Sequence, residues 1–325
     1  MILIDLSNTF YRSYYVLENK YNDEVNKYGS ASFKIDYNIL LEYILKELQI
    51  REDQFKHDYG KIVLCCDSRS NWRYKYFQEY KQKRKEDKAS DNRDWDYIQG
   101  EYTKVKQELA NNTKYVVLEV NDLEADDLIA LACFTNNSDI LIVSVDKDLN
   151  QLVDNDRIKQ FSPIVNDYVT NTNHPLNEAI LTGDSSDGVP NIFSDDNHYV
   201  RENKIRAKPV SAKIKEYFKD YETITEDVMI SFIDDYNSNI KKQEDILDKD
   251  KILHNWNRNR LMIDLKSIPK EYYSVFGNAV KEAISLSLNN EDKHNEWVKS
   301  IINNKENDSS ENNDTDDIDI GDLFD

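Results

Sequence analysis

The sequence predicts an α/β fold: a mainly parallel central sheet with helices on both faces, followed by a mainly helical C-terminal subdomain. Three observations carry that prediction. Apolar runs at 1–4, 61–66, 115–118 and 140–145 have the length of buried strands. Helical patterns at about 35–49, 96–110 and 124–135 lie between them. Beyond about residue 175 strand signals vanish and helical ones dominate. Strands that alternate with helices pair in parallel, because each helix carries the chain back over the sheet before the next strand begins.

Taken in order, the first strand closes at Asp5, the second at Asp67, and the run Ile140 to Val145 at Asp146 and Asp148. Ligands of open α/β sheets bind outside the carboxyl ends of the strands. Three strands that each stop at an acid therefore point to a carboxylate-lined cleft. The helix after the third strand opens with Leu-Glu-Ala-Asp-Asp, giving Glu124, Asp126 and Asp127, and Asp184 and Asp187 lie in Gly-Asp-Ser-Ser-Asp-Gly-Val-Pro at 183–190. One Asp at a strand end is an ordinary cap or turn residue, and capping is the structural alternative for Glu124. Repetition argues for more. Carboxylates in one cleft raise one another's pKa unless a cation neutralises them, and an all-oxygen donor set suits Mg²⁺ or Mn²⁺.

Between Asp67 and Trp95 the chain is nearly free of aliphatic residues, so this stretch is expected to start as a helix and continue as a mobile basic excursion that no core anchors. Arg157 to Phe161 and Asn166 to Val169 suggest a short peripheral hairpin. Helical patterns follow at Leu176 to Leu181, Val210 to Phe218, Val228 to Ile240, Ile252 to Ile263, Gly277 to Leu288 and Trp297 to Ile302. The division expected is 1–175, an α/β domain with its basic excursion at about 69–94; 176–305, mainly helical; and 306–325, a disordered acidic tail.

Charge distribution matters more than the total. The chain of 325 residues has a formal net charge of -20, which by itself argues against a phosphate-rich partner. Nine of the acids lie in residues 306–325, which hold no base. Two windows run the other way: residues 69–88 carry eight bases against three acids, and residues 201–219 seven against two. Local patches of that kind guide a polyanion whatever the overall sign, although a solvated helix face gives the same pattern.

Cys65, Cys66 and Cys133 lie in apolar runs, as core thiols of a reducing compartment do, and the five scattered histidines offer no zinc spacing. No apolar stretch reaches the ~18 residues of a membrane span, and the N-terminus runs directly into a strand. A cytoplasmic monomer with no membrane partner is expected.

Taken together, Ile-Asp-Leu-Ser at 4–7, Cys-Asp at 66–67, Tyr-Lys-x-x-Arg at 80–84, Glu-Ala-Asp-Asp at 124–127, Val-Asp-Lys-Asp at 145–148 and the Gly-Asp-Ser-Ser-Asp-Gly motif resemble the 5′-nuclease family. That family comprises flap endonucleases and 5′ to 3′ exonuclease domains, and the pattern is most similar to its phage replication RNase H branch. The resemblance covers roughly residues 1–300 and implies a PIN-like 5′-nuclease fold with a helical arch. It implies two Mg²⁺ (or Mn²⁺), one near Asp5, Asp67, Glu124 and Asp126 with Asp127 nearby, the other near Asp146, Asp148 and Asp187. Asp184 matches a family position and also reads as a turn cap. Lys81 and Arg84 would stabilise the phosphate during hydrolysis, Arg73 would hold a phosphate, and Tyr76 or Tyr80 would stack on an unpaired base. The alternative for Trp72, Tyr76 and Tyr80 is a stripe packed on the domain.

One departure concerns the segment after Gly-Val-Pro. Most family members grip duplex backbone there with a glycine-rich helix-turn-helix and a monovalent ion, and this chain lacks those glycines. Duplex contact is expected instead from Arg201, Lys204, Arg206, Lys208 and Lys213. The terminal Ile320-Gly321-Asp322-Leu323-Phe324 is similar to peptides that dock on bacterial sliding clamps, with Ile320, Leu323 and Phe324 as the hook; a solubilising tail or a mimic of single-stranded DNA reads equally well. The resemblance implies a Mg²⁺-dependent 5′ to 3′ exonuclease and flap endonuclease acting on nicked, flapped or primer-bearing duplex DNA and RNA·DNA hybrids, removing lagging-strand primers in an infected bacterial cell. A single-stranded-DNA-binding protein is a further expected partner. A junction or flap endonuclease without primer removal, a PIN-like ribonuclease and a non-catalytic DNA-binding replication accessory are the rivals.

Overall fold

The computed structural model of the chain describes residues 1–21, 26–27, 34–170, 176–200, 208–243 and 246–302. Strand β1 (Ile2–Asp5) runs straight into helix α1 (Leu6–Lys20), because Asp5 ends the strand and N-caps the helix by accepting from Asn8 N at 2.8 Å. The chain continues as α2 (Tyr37–Tyr59), β2 (Ile62–Cys66), α3 (Gln82–Ser90), α4 (Trp95–Asn112), β3 (Val116–Glu119), α5 (Ala125–Thr135), β4 (Ile140–Val143), β5 (Ile158–Ser162) and β6 (Asp167–Tyr168). Six helices follow: α6 (Leu176–Thr182), α7 (Ala212–Phe218), α8 (Glu226–Ser238), α9 (Lys249–Ile263), α10 (Glu271–Asn289) and α11 (Glu291–Ile302).

The six strands form one sheet in the order β3-β2-β1-β4-β5-β6, parallel except for the last pair. Side chains alternate across it, as the two-residue period of a strand demands. Ile2 and Ile4 enter one core with α1, α2 and α4, whereas Leu3, Cys65, Ile140 and Ile142 enter a second beneath α5. Both faces are covered, which is why the strands read as unbroken apolar runs. Asp5, Asp67 and Asp146 follow the carboxyl ends of three adjacent strands, β2, β1 and β4, as the sequence predicts.

The structure adds one helix, extends the expected hairpin, and corrects the basic excursion and the arrangement of the second half. Helix α1 was absent from the sequence reading, since it begins without a loop and its first turn holds Ser7, Asn8 and Thr9, poor helix interior residues. The expected hairpin forms at the sheet's edge, Phe161 of β5 pairing antiparallel with Tyr168 of β6, and β5 also joins the sheet in parallel with β4, its buried Gln160 donating to Ser144 O at 3.0 Å and Asp146 O at 2.8 Å. The basic excursion is anchored, by aromatic rather than aliphatic side chains: Trp72, Phe77 and Tyr80 are buried before α3 begins. Finally, the helical second half is not one layer. Helices α6 to α9 build a third core with Phe77 and Tyr80, whereas Tyr272 and Phe276 of α10 and Val298 of α11 return to the two cores of the sheet. The sequence patterns at 277–288 and 297–302 thus mark helices that buttress the α/β layer.

Candidate active site

At the carboxyl ends of the strands lies a cleft of about 1800 Å³, lined by Asp5, Asp67, Glu124, Asp126, Asp146, Asp148, Asp184 and Asp187. Lys81, the N-cap residue of α3, and Arg84, Lys85 and Lys88 of that helix line the same cleft.

Local hydrogen bonds fix the acids. Asp67 Oδ1 accepts from Ala125 N at 2.8 Å, which ties the end of β2 to the N-terminus of α5, and Asp67 N donates to Ser7 Oγ at 3.2 Å. Asp146 and Asp148 form one turn, with Asp148 N donating to Asp146 Oδ1 at 2.9 Å. Asp184 Oδ1 accepts from Ser186 N at 2.8 Å and Ser186 Oγ at 2.7 Å, the turn-capping role left open by the sequence. Glu124 N-caps α5 in a capping box with Asp127, so it caps the helix and faces the cleft at once.

Electrostatics divides the cleft in two. On one side burial, then the charge of Asp67, pushes Asp5 up to about 8. Burial with Asp146 and Asp5 pushes Asp126 well above the carboxylate range, and burial with Asp146, Asp184 and Asp187 pushes Asp148 up to about 7. On the other side Glu124 is held down to about 2: burial alone would raise it, but Lys81 and Arg73 outweigh burial. Lys81 Nζ lies 2.5 Å from Glu124 Oε1 and 3.6 Å from Asp187 Oδ2, and Arg84 Nη2 lies 2.9 Å from Asp187 Oδ1.

Three assignments change. Asp127 is fully buried away from the cleft and serves as an anchor: Arg73 Nη2 and Nη1 reach its two oxygens at 2.8 and 2.9 Å, Trp72 Nε1 donates at 3.1 Å and Glu124 N at 3.0 Å. Arg73 is 3% exposed, and its remaining bonds go to Glu124 and Met262 O, so it holds the site together and cannot take a phosphate. Tyr80 is 2% exposed, and its hydroxyl lies 2.9 Å from Glu124 Oε2 and 2.9 Å from Asp187 Oδ2, one proton shared between the two, which removes it as a stacking platform; Tyr76, 57% exposed, keeps a free face. Lys208 and Lys213 are exposed and do not line the cleft. Arg201, Lys204, Arg206, Ile320, Leu323 and Phe324 lie outside the described residues.

The sequence reading missed the far wall of the cleft. Tyr11, Arg12 and Tyr15 of α1 line it with Trp95, Tyr102 and Lys106 of α4, and Tyr11 stacks on Tyr102 with ring centroids 6.2 Å apart. Lys88 Nζ lies 4.4 Å from the Trp95 ring. The aromatic recurrence at 10–15 is the sequence signal for this wall.

The donor set suits a hard divalent cation. The carboxylates supply oxygen alone, they raise one another's pKa, and Asp126 Oδ1 is buried with no hydrogen-bond partner among the described residues. Among the described residues no three acidic, His or Cys side chains are preset to grip an ion. Lys81 and Arg84 engage Glu124 and Asp187 instead.

The family model described as "5′-3′ exonuclease, N-terminal resolvase-like domain" matches residues 1–180, more than half of the chain. The chain belongs to this 5′-nuclease family. Among its relatives, ribonuclease H of Enterobacteria phage T4 is 30% identical over 170 residues, covering 49% of this chain and 55% of that protein. A 5′-3′ exonuclease of Buchnera aphidicola is 29% identical over 207 residues, covering 59% of this chain and 65% of that one. The matches thus span about half to two thirds of those relatives' lengths. A phage T5 protein crystallised with metal ions shares the 5′-nuclease fold at a TM-score of 0.58 and 13% identity, covering 88% of this chain and 98% of that one. A phage T5 flap endonuclease in complex with DNA and metal ions does so at 0.57 and 14%, with the same coverage.

Proposed function

We propose that this 5′ nuclease is a Mg²⁺-dependent 5′ to 3′ exonuclease and flap endonuclease that hydrolyses phosphodiester bonds of DNA·DNA and RNA·DNA, removing lagging-strand primers in phage replication. The observation that carries the reading is the gathering of eight acids from separate segments into one cleft, opposite Lys81 and Arg84. The T5 neighbours, solved with metal ions and in one case with DNA, lend support.

The expected ligand grouping would shift: Asp146, whose charge acts on Asp126 and Asp5, would join Asp5, Asp67 and Asp126 around one ion, Asp148 with Asp187 would hold a second, and Glu124, engaged by Lys81, would stand beside the first group. When bound, paired divalent ions lower the pKa of water and neutralise charge on the leaving oxygen. The chain's own groups do the rest. Asp67 and Glu124 sit at the N-terminus of α5, where the helix dipole and the backbone N–H groups they accept from favour negative charge. Lys81 and Arg84, released from Glu124 and Asp187 by the incoming phosphate, hold its non-bridging oxygens and stabilise charge that develops on them. Tyr80 keeps Glu124 and Asp187 in register through its shared hydroxyl. The aromatic wall of α1 and α4 gives unpaired bases a sequence-tolerant surface, in keeping with recognition of strand structure rather than sequence.

The test is a cleavage assay on end-labelled nicked, flapped and four-way substrates with Mg²⁺. Cleavage should depend on a 5′ end and stop with chelator. Asp146→Asn should leave DNA binding intact while turnover falls by more than ~100-fold, beyond the loss seen when only a metal ligand's hydrogen-bond partner is removed. Unchanged turnover in that variant contradicts the reading, and preferential cutting of four-way substrates moves it to the junction endonucleases.

A further inference from the structure

Helix α9 turns one face, Asn255, Arg258 and Asn259, onto the back of the segment that carries Asp184 and Asp187. Asn259 Nδ2 donates to Ile180 O at 2.7 Å, and Asn255 Nδ2 donates to Ile192 O at 2.9 Å and Ser194 O at 3.0 Å. Between them Arg258, 4% exposed, sends Nη2 to Pro190 O at 2.9 Å and Asn191 O at 3.4 Å, while Nη1 bonds Asp196. The Pro190 carbonyl is pressed from the other side by Gly183, where a Cβ would fall 2.6 Å from it and 2.3 Å from Val189 O. That contact, with φ of +70° at Gly183, allows only glycine. From there the path is short. Val189 N donates to Asp184 O at 2.7 Å, and Lys81 N donates to Asp187 O at 2.8 Å. The guanidinium also lies 5.5 Å from the Phe77 ring, at the root of the basic excursion.

We infer that Arg258 is a positioning residue of this site: a built-in cation that fixes the 183–196 segment, and with it Asp187 and Lys81, so that these carbonyls need no bound monovalent ion. A carbonyl pair that must be buried needs a donor or a cation, and here helix α9 provides one that cannot dissociate. The catalytic readout below rests on the proposed nuclease activity; the thermal readout does not.

The experiment compares Arg258→Ala and Arg258→Lys with the wild type, with guanidinium or urea added at equal, non-denaturing concentration. In folded Arg258→Ala kcat should fall about 100-fold with KM nearly unchanged, the scale of a misplacement of about 1 Å transmitted to the chemistry. Guanidinium should restore about tenfold of that and urea none, with Arg258→Lys lying between alanine and wild type. An unchanged kcat, or equal rescue by urea, overturns the proposal. Should Arg258→Ala not fold, the wild type decides: melting temperatures in KCl and choline chloride at equal ionic strength should agree, and stabilisation specific to potassium overturns it. Wild type inactive on every substrate sinks the nuclease reading and leaves the thermal comparison standing.

Discussion

The two sides of the cleft hold the same chemical group in opposite states. Asp5, Asp126 and Asp148 lie among other acids and are pushed up, Asp5 to about 8, whereas Glu124, which lines the same cleft, is held down to about 2 by Lys81 and Arg73. The difference teaches where charge is already balanced by the protein and where it waits for a cation. Around Glu124 and Asp127 the cations Lys81 and Arg73 balance the carboxylates, whereas Asp187 is pushed up by burial even beside Lys81 and Arg84, as Asp5 and Asp126 are among their acidic neighbours.

The largest expected break comes from the balanced side. Arg73→Met strands the fully buried Asp127 without its partner, and loss of one member of a buried pair costs about 3–5 kcal/mol. Urea unfolding should show that loss. Replacing both residues, Arg73→Met with Asp127→Leu, should recover much of it, and additivity of the two losses would contradict the pairing.

Next is Lys81→Ala, which should lower kcat by about 100-fold, the scale for removing a charge-stabilising donor. It should also free Glu124 to titrate closer to the ordinary carboxylate range. Turnover near wild type would remove Lys81 from the chemistry and leave it a structural cation.

The smallest effect comes from the unbalanced side and sharpens the contrast. Acids whose pKa is raised in the folded state hold their protons more tightly there than in the unfolded chain, so stability falls as pH rises from about the unfolded value of 4 through 7 and 8, the folded values of Asp148 and Asp5. Glu124 works the other way, and its contribution is lost only below about 4, as pH falls toward 2. In chelator the melting temperature should therefore drop by a few degrees between pH 5 and 8, on the scale of 2–4 °C per kcal/mol for a chain of this size. Divalent cation should offset that drop, and more at pH 8 than at pH 6. A melting temperature that rises across this range would contradict the assignment.

Much of the site was legible because its signal is local. An apolar run that stops at an acid gives both the strand and the position of the carboxylate, so Asp5, Asp67 and Asp146 were placed by pattern alone. Side-chain direction was not legible. Glu124, Asp126 and Asp127 sit within four residues, and only the fold reveals that Arg73 and Trp72 claim Asp127. Basic residues misled for the same reason: Arg73 reads like Arg84 in sequence, yet one is buried in a salt bridge and the other half exposed at the cleft. Arg258 left no sequence signal, since its partners are backbone carbonyls 67 and 68 residues away. Helix α1 was hidden because its start signal, the N-cap Asp5, is also the last residue of β1, and its first turn holds Ser7, Asn8 and Thr9.

The measurement that tests the central claim most directly is the anomalous scattering of a crystal soaked in Mn²⁺. The account predicts manganese between Asp5, Asp67, Asp126 and Asp146, with Lys81 moved off Glu124 or left facing the ion across it. No manganese beside those four carboxylates, at a concentration that supports cleavage, would contradict it.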